Sequence, residues 1–254
     1  MTRDCRTDPA SGSKSSITVG SPTSRGSSGV GSILIAIGFI GALVLAGIFV
    51  APQALAYVED ELGGSAIDPP ALGDRTPEHV DQNDPGETRY NTEAETVSSV
   101  AVEDRVHELV NERRAEHGLE PIGFDGTIAS VSRAHSQDMY EREFAHVNPD
   151  GETPHDRFDA VADYCQVYSE NIARTSVGTL VERSYDGERV EYHTADELAE
   201  GLVEQWMNSP EHRAAILGEQ EAVREAGGWD RGGVGVYITD EGRVFATHNF
   251  CTVR

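Results

Sequence analysis

An α+β fold is predicted for residues 98–254, and three observations predict it. Apolar residues recur at helical spacing in several stretches, each opened by a capping residue. Two turns built on Asp and Gly each join a pair of strand-like runs. The residues before Val100 show neither pattern, so the folded part starts near there.

The chain opens with residues 1–29, rich in Ser, Gly, Thr and Pro, with Arg3, Arg6, Lys14 and Arg25 among them. Such a segment has too little apolar surface to offset its chain entropy, and a disordered cytoplasmic N-terminus is expected. An uncharged run follows from Val30 to Ala51, long enough to cross a hydrocarbon core as one transmembrane helix. Basic residues precede it and Glu59, Asp60 and Glu61 follow, which puts the N-terminus inside by the positive-inside rule. Two fates stay open for residues 30–57: a single-pass membrane anchor, or a signal segment cleaved near Ala56 in Ala54-Leu55-Ala56. The length of the run favours the anchor, and either fate exports the rest. Residues 58–97, acidic and interrupted at Asp68-Pro69-Pro70 and Asp84-Pro85-Gly86, are expected to form a disordered, flexible linker.

Within the domain, Val102, Val106, Leu109 and Val110 mark a first helix that Gly118 stops. Asp125 is a good N-cap for a second, carrying Ile128, Val131 and Met139. Thr153-Pro154 opens a short third helix. Thr194 and Glu197 form a capping box before Leu198, Leu202 and Trp206, and Ser209-Pro210 restarts a helix carrying His212. Asp186-Gly187 and Asp240-Glu241-Gly242 close the two hairpins.

The formal net charge is −24, with Lys14 the single lysine. That surface suits a halophilic acidic protein working in concentrated salt, where self-repulsion is screened. It also excludes nucleic acid as a partner, because phosphate binding needs clustered Lys and Arg. Cys5 precedes the apolar run, whereas Cys165 and Cys251 follow it. No spacing fits a zinc finger. Outside the cell Cys165 and Cys251 have the number and the oxidising setting for one disulfide bond, the alternative being two buried thiols.

Three residues stand out for chemistry: His146 in FAHVNPDG, Glu170 in SENIA and His212 in WMNSPEHRAAIL. Two imidazoles and a carboxylate suit a divalent cation such as zinc, with His146 and His212 as the metal ligands, or equally a base with its orienting partner. Each also has a structural role open to it: capping a turn, fixing a strand or bonding a neighbouring chain. His135 reads as a core histidine; His107, His117, His155 and His193 read as surface.

LVNERRAEHGLEPIGFD, SRAHSQDM, FAHVNPDG, SENIA, EQWMNSPEHRAAIL and GVGVYITDEGRVFATHNF occur in the order seen in CAP-superfamily domains. The chain thus resembles the cysteine-rich secretory, antigen 5 and pathogenesis-related group-one proteins, in their prokaryotic SCP-like branch. The resemblance covers about residues 100–252. It implies an α-β-α sandwich with a central antiparallel sheet and a cleft carrying two histidines and two acids. Matched motif by motif, those fall on His146, Glu170 and His212, but the second acid, about three residues after the tryptophan, is Ser209 here. Glu204 and Glu211 are nearby substitutes that do not match the motif.

The expected function is a membrane-anchored or secreted extracytoplasmic binding module. Its partner would be a lipid, a glycan or an envelope protein held in the His/Glu-lined cleft. The alternatives are a structural envelope component and a metal-dependent or His/Glu hydrolase. Neither GxSxG nor HExxH is present, which ranks the hydrolase last.

Overall fold

The computed structural model describes residues 67–254 and the backbone of Ser16–Val19. The expected membrane segment at 30–57, with its cleavage site at Ala56, lies outside the described residues. So does the N-terminus apart from 16–19. Among the described residues no helix is long and apolar enough to cross a membrane.

The caps expected at Asp125, Thr153 and Thr194 form, whereas Ser209 opens its helix without a side-chain cap bond. Helix α1 (Ser99–Glu116) starts where the Ser98 side chain accepts from the Ala101 N–H, and Asp125 does the same for Ile128 at the start of α2 (Gly126–Glu141). Reciprocal capping boxes open α3 (Pro154–Asp159) through Thr153 and Asp156, and α4 (Ala195–Met207) through Thr194 and Glu197. Proline sits in the first turn of α5 (Pro210–Ile216), and a single turn, α6 (Glu221–Glu225), follows.

The strands are β1 (Ser16–Val19), β2 (Arg89–Asn91), β3 (Thr96–Ser98), β4 (Gly123–Phe124), β5 (Cys165–Ser176), β6 (Leu180–Glu182), β7 (Arg189–Glu191), β8 (Arg231–Ile238) and β9 (Arg243–Val253). The main sheet runs β1-β5-β9-β8-β4. Its long strands β5, β9 and β8 are antiparallel, as expected, but β4 joins β8 in parallel, so the sheet is mixed at one edge. The reason is local: β4 is only two residues long and delivers Asp125, whose N–H donates to Gly232 O, at the start of α2. At the other edge β1 lies antiparallel to β5, Ser16 opposite Glu170. That pairing needs residues 16–19 on the domain's side of any membrane, opposite to the side the charge distribution assigns them.

Side chains alternate across a strand, so the sheet has two unlike faces. On one, Val234, Val236, Val244, Ala246 and Phe250 pack against α1, α4 and α5 with Trp206 at the centre. On the other, α2 lies so close to β8 that a Cβ built on Gly233 would meet Ala129 N at 2.2 Å, and one on Gly235 would meet Arg133 N at 2.0 Å. Hydroxyls fasten this seam: Ser132 Oγ donates to Gly233 O and Ser136 Oγ to Gly235 O. A disulfide bond joins Cys165 to Cys251 (Cα–Cα 5.6 Å), tying β5 to β9.

Residues 68–97 differ from the flexible linker expected there. They run along the domain as a strap. Asp84 pairs with Arg133 at 2.8 Å, the Ser130 hydroxyl accepts from the Asp81 N–H, and Thr88 Oγ1 accepts from the Ile238 N–H. Arg231 reaches back to Pro70 O, and Thr127 Oγ1 donates to His79 O. These bonds run from single side chains to an aperiodic segment, which is why hydrophobic period carries no sign of them.

Candidate functional site

Glu170 is fully buried on β5 and points to the α2 face. Its Oε1 accepts from His146 Nδ1 at 2.9 Å, and its Oε2 accepts from Arg157 at 2.7 Å. A second Arg157 nitrogen donates to the backbone oxygens of His146 and Glu152, so α3 holds the loop that carries His146. His135, from α2, brings Nε2 to 3.7 Å from Glu170 Oε1. Burial alone would raise the Glu170 carboxyl. The Arg157 charge and the His146 hydrogen bond overcome it and hold the group down at about 2.

His135 is 1 % exposed, and burial pushes it down to about 4, so at neutral pH its imidazole is uncharged. Neither of its ring nitrogens has a hydrogen-bond partner, and the same is true of His146 Nε2, Arg157 Nε and Asp138 Oδ2. Buried polar atoms without partners are few in folded proteins, and here several gather around one carboxylate. Beside them opens a cleft of about 960 Å³ between α2, α3 and the strap, with His135, Asp138, Asn148, Glu152, Arg157 and Asp81 on its walls.

The sequence-derived residues divide between the two faces. His146 and Glu170 meet. His212 is fully buried, and its helix α5 packs against the apolar face through Ala215 and Ile216. Its backbone oxygen accepts from Asn171 Nδ2 at 3.0 Å, and Asn171, next to Glu170 on β5, points the other way. Glu204 is not brought to His146 and Glu170; it accepts from the Tyr185 hydroxyl of the β6–β7 hairpin at 2.7 Å, with Arg183 at 3.5 Å. Among the described residues no three His, Cys, Asp or Glu side chains are placed to hold a metal ion.

His135 is core as expected, and it also lines the cleft. His155 and His107 are corrections to the surface reading: His155 is buried, and burial pushes His107 down to about 4. Arg157 was not singled out by sequence reasoning. Its position four residues after the Thr153 cap carries no signal of the ion pair it makes.

Residues 107–220 match the profile of the family described as "CAP: Cysteine-rich secretory protein family". Residues 107–220 thus carry a segment similar to the CAP family. The Bacillus subtilis (strain 168) protein YkwD is 33% identical over 131 residues, which is 51% of this chain and 43% of that protein. The chain therefore spans less than half the length of that relative. Among solved structures, an extracellular SCP-domain protein from Bacillus anthracis str. Ames aligns at 28% identity and a TM-score of 0.42, covering 60% of this chain and 41% of that one. An outer surface protein from Borrelia burgdorferi aligns at 17% identity and a TM-score of 0.47, covering 66% of this chain and 98% of that one.

Proposed function

We propose that the CAP-like domain is an extracytoplasmic binding module that takes a polar ligand, a glycan or an envelope protein, in the cleft between α2, α3 and the strap. The observation that carries this reading is the buried, unpartnered His135 on the wall of that cleft, beside Asp138 and Arg157. A lipid tail has little support, since an acyl chain calls for an apolar groove and these walls are mainly charged and amide side chains. The Cys165–Cys251 bond suits an oxidising compartment, in keeping with export behind residues 30–57, anchored or cleaved.

The hydrolase alternative has one supporting feature, the Glu170–His146 pair, which leaves Nε2 as the free basic nitrogen. That nitrogen is buried and bonds no hydroxyl or thiol, so the pair lacks a nucleophile. Zinc held by His146 and His212 would need the two histidines on one side of the sheet.

The test is titration of the full-length chain in molar salt with oligosaccharides, charged peptides and lipid vesicles, each repeated on Ala160→Trp, which fills the exposed mouth of the cleft. Saturable binding of a polar ligand, lost in A160W, is expected. Binding that A160W leaves intact, or a difference seen only with vesicles, overturns the reading. Zinc calorimetry on parent and His146→Ala/His212→Ala closes the metal question, and equal, negligible heats are expected.

A further inference from the structure

This inference rests on the cleft reading and names the partner chemistry. We propose that the cleft recognises a cationic hydrogen-bond donor, the guanidinium or ammonium of an arginine or lysine side chain on a peptide partner.

The cleft is acidic. Glu78, Asp81, Asp138, Glu141, Asp150 and Glu152 line the cleft, against Arg142 and Arg157 alone. Both arginines are already engaged, Arg142 with Asp138 and Asp150, Arg157 with Glu170. Glu78, Asp81, Glu141 and Glu152 have no ion pair among the described residues. Burial raises the Asp81 carboxyl, and the charges of Asp84 and Glu152 add to that rise.

Deeper in, apart from the rim, lie acceptors. His135 and Asp138 sit three apart on α2 and share one helical face. Asp138 Oδ1 takes the Arg142 bond, whereas Oδ2 is buried with no partner. A neutral imidazole keeps one acceptor nitrogen; with the Glu170 carboxylate 3.7 Å from Nε2, that acceptor is Nδ1 of His135. A bound guanidinium or ammonium would supply the missing donors. Rim attraction alone fades in concentrated salt, where the Debye length falls to about 3 Å. The His135 and Asp138 acceptors, out of solvent, keep their hydrogen bonds there. The volume, about 960 Å³, exceeds one cationic head group and leaves room for flanking peptide.

The experiment uses the full-length chain in 1 M NaCl and a fluorescent, end-blocked Gly-Arg-Gly-Arg-Gly peptide, its citrulline version, spermidine and Mg²⁺ as probes. The arginine peptide is expected to saturate one site, with the citrulline peptide at least about tenfold weaker. Asp138→Asn is expected to weaken the arginine peptide about tenfold, with Asp81→Asn as the second variant should D138N fail to fold. Glu93→Gln, exposed and remote from the cleft, should leave binding unchanged. Equal losses in E93Q would reduce the effect to general acidity and overturn the site. Spermidine binding as tightly as the peptide would overturn the peptide partner. Silence from every basic probe, or Mg²⁺ binding alone, overturns the proposal. Loss of another polar ligand in A160W with basic probes silent would remove this inference and leave the binding-module reading standing.

Discussion

The two faces of the central sheet are built on opposite principles. Behind α1, α4 and α5, Trp206, Leu198, Leu202, Val236 and Phe250 exclude water and hold the fold by buried apolar area. Under α2 a smaller apolar cluster of Met139, Ile172 and Phe245 is joined by a second device: no side chain at Gly233 and Gly235, and hydroxyl bonds from Ser132 and Ser136. The first arrangement tolerates modest changes of shape, because apolar side chains can shift. The second fixes helix against strand to within tenths of an ångström, and it is the one that carries His135, Glu170 and the cleft. Stability and positioning are thus assigned to different faces.

Four measurements would break or sharpen that contrast. The largest effect is expected from Trp206→Ala on the apolar face, a loss of about 3–5 kcal/mol in urea unfolding, since the indole is fully buried and donates to Ile172 O. Next comes acid. His135 has a folded pKa of about 4, below its ordinary value, so its contribution is present above pH 6.5 and lost as pH falls from 6.5 to 4. The loss is on the order of 3 kcal/mol at most. His107, also about 4, and His248, pushed well down by burial, act with the same sign. His135→Gln should therefore flatten the fall of the urea midpoint with acidity without abolishing it; an unchanged slope would mean that His135 is not held neutral. Glu170, held at about 2, adds a further loss below pH 4.5.

Gly235→Ala should follow, at about 1–3 kcal/mol for a single added methyl, because the new Cβ meets backbone that cannot yield. Ile216→Val, a one-carbon change on the apolar face, should cost the least, about 0.5–1.5 kcal/mol. Should Gly235→Ala prove the milder of the two, the contrast between the faces fails.

The same contrast decides what the sequence disclosed. The apolar face announced itself by period: Val102, Val106, Leu109 and Val110 on α1, and Leu198, Leu202 and Trp206 on α4, are core as their spacing required. Caps at Ser98, Asp125, Thr153 and Thr194 rest on local backbone chemistry, which a short stretch of sequence carries. The polar face was legible only as motifs. SRAHSQDM and SENIA marked the right strand and helix, but nothing in one dimension says that Glu170 meets His146 and Arg157, or that the next residue, Asn171, turns towards His212. A shift of one residue along a strand changes face, and motif order does not report it.

The strap has a practical meaning for anyone who cuts this chain. A fragment begun at residue 98 would lose Asp84, leaving Arg133 paired with the buried Glu103 alone. It would also lose Thr88, baring the Ile238 N–H on the side of β8 that, among the described residues, no strand covers beyond Gly232. Such an open border invites a second molecule to pair along it, the usual beginning of clumping in sheet proteins. A fragment begun near Asp68 keeps the strap but loses β1, and so moves the open border to β5 from Val167 to Glu170.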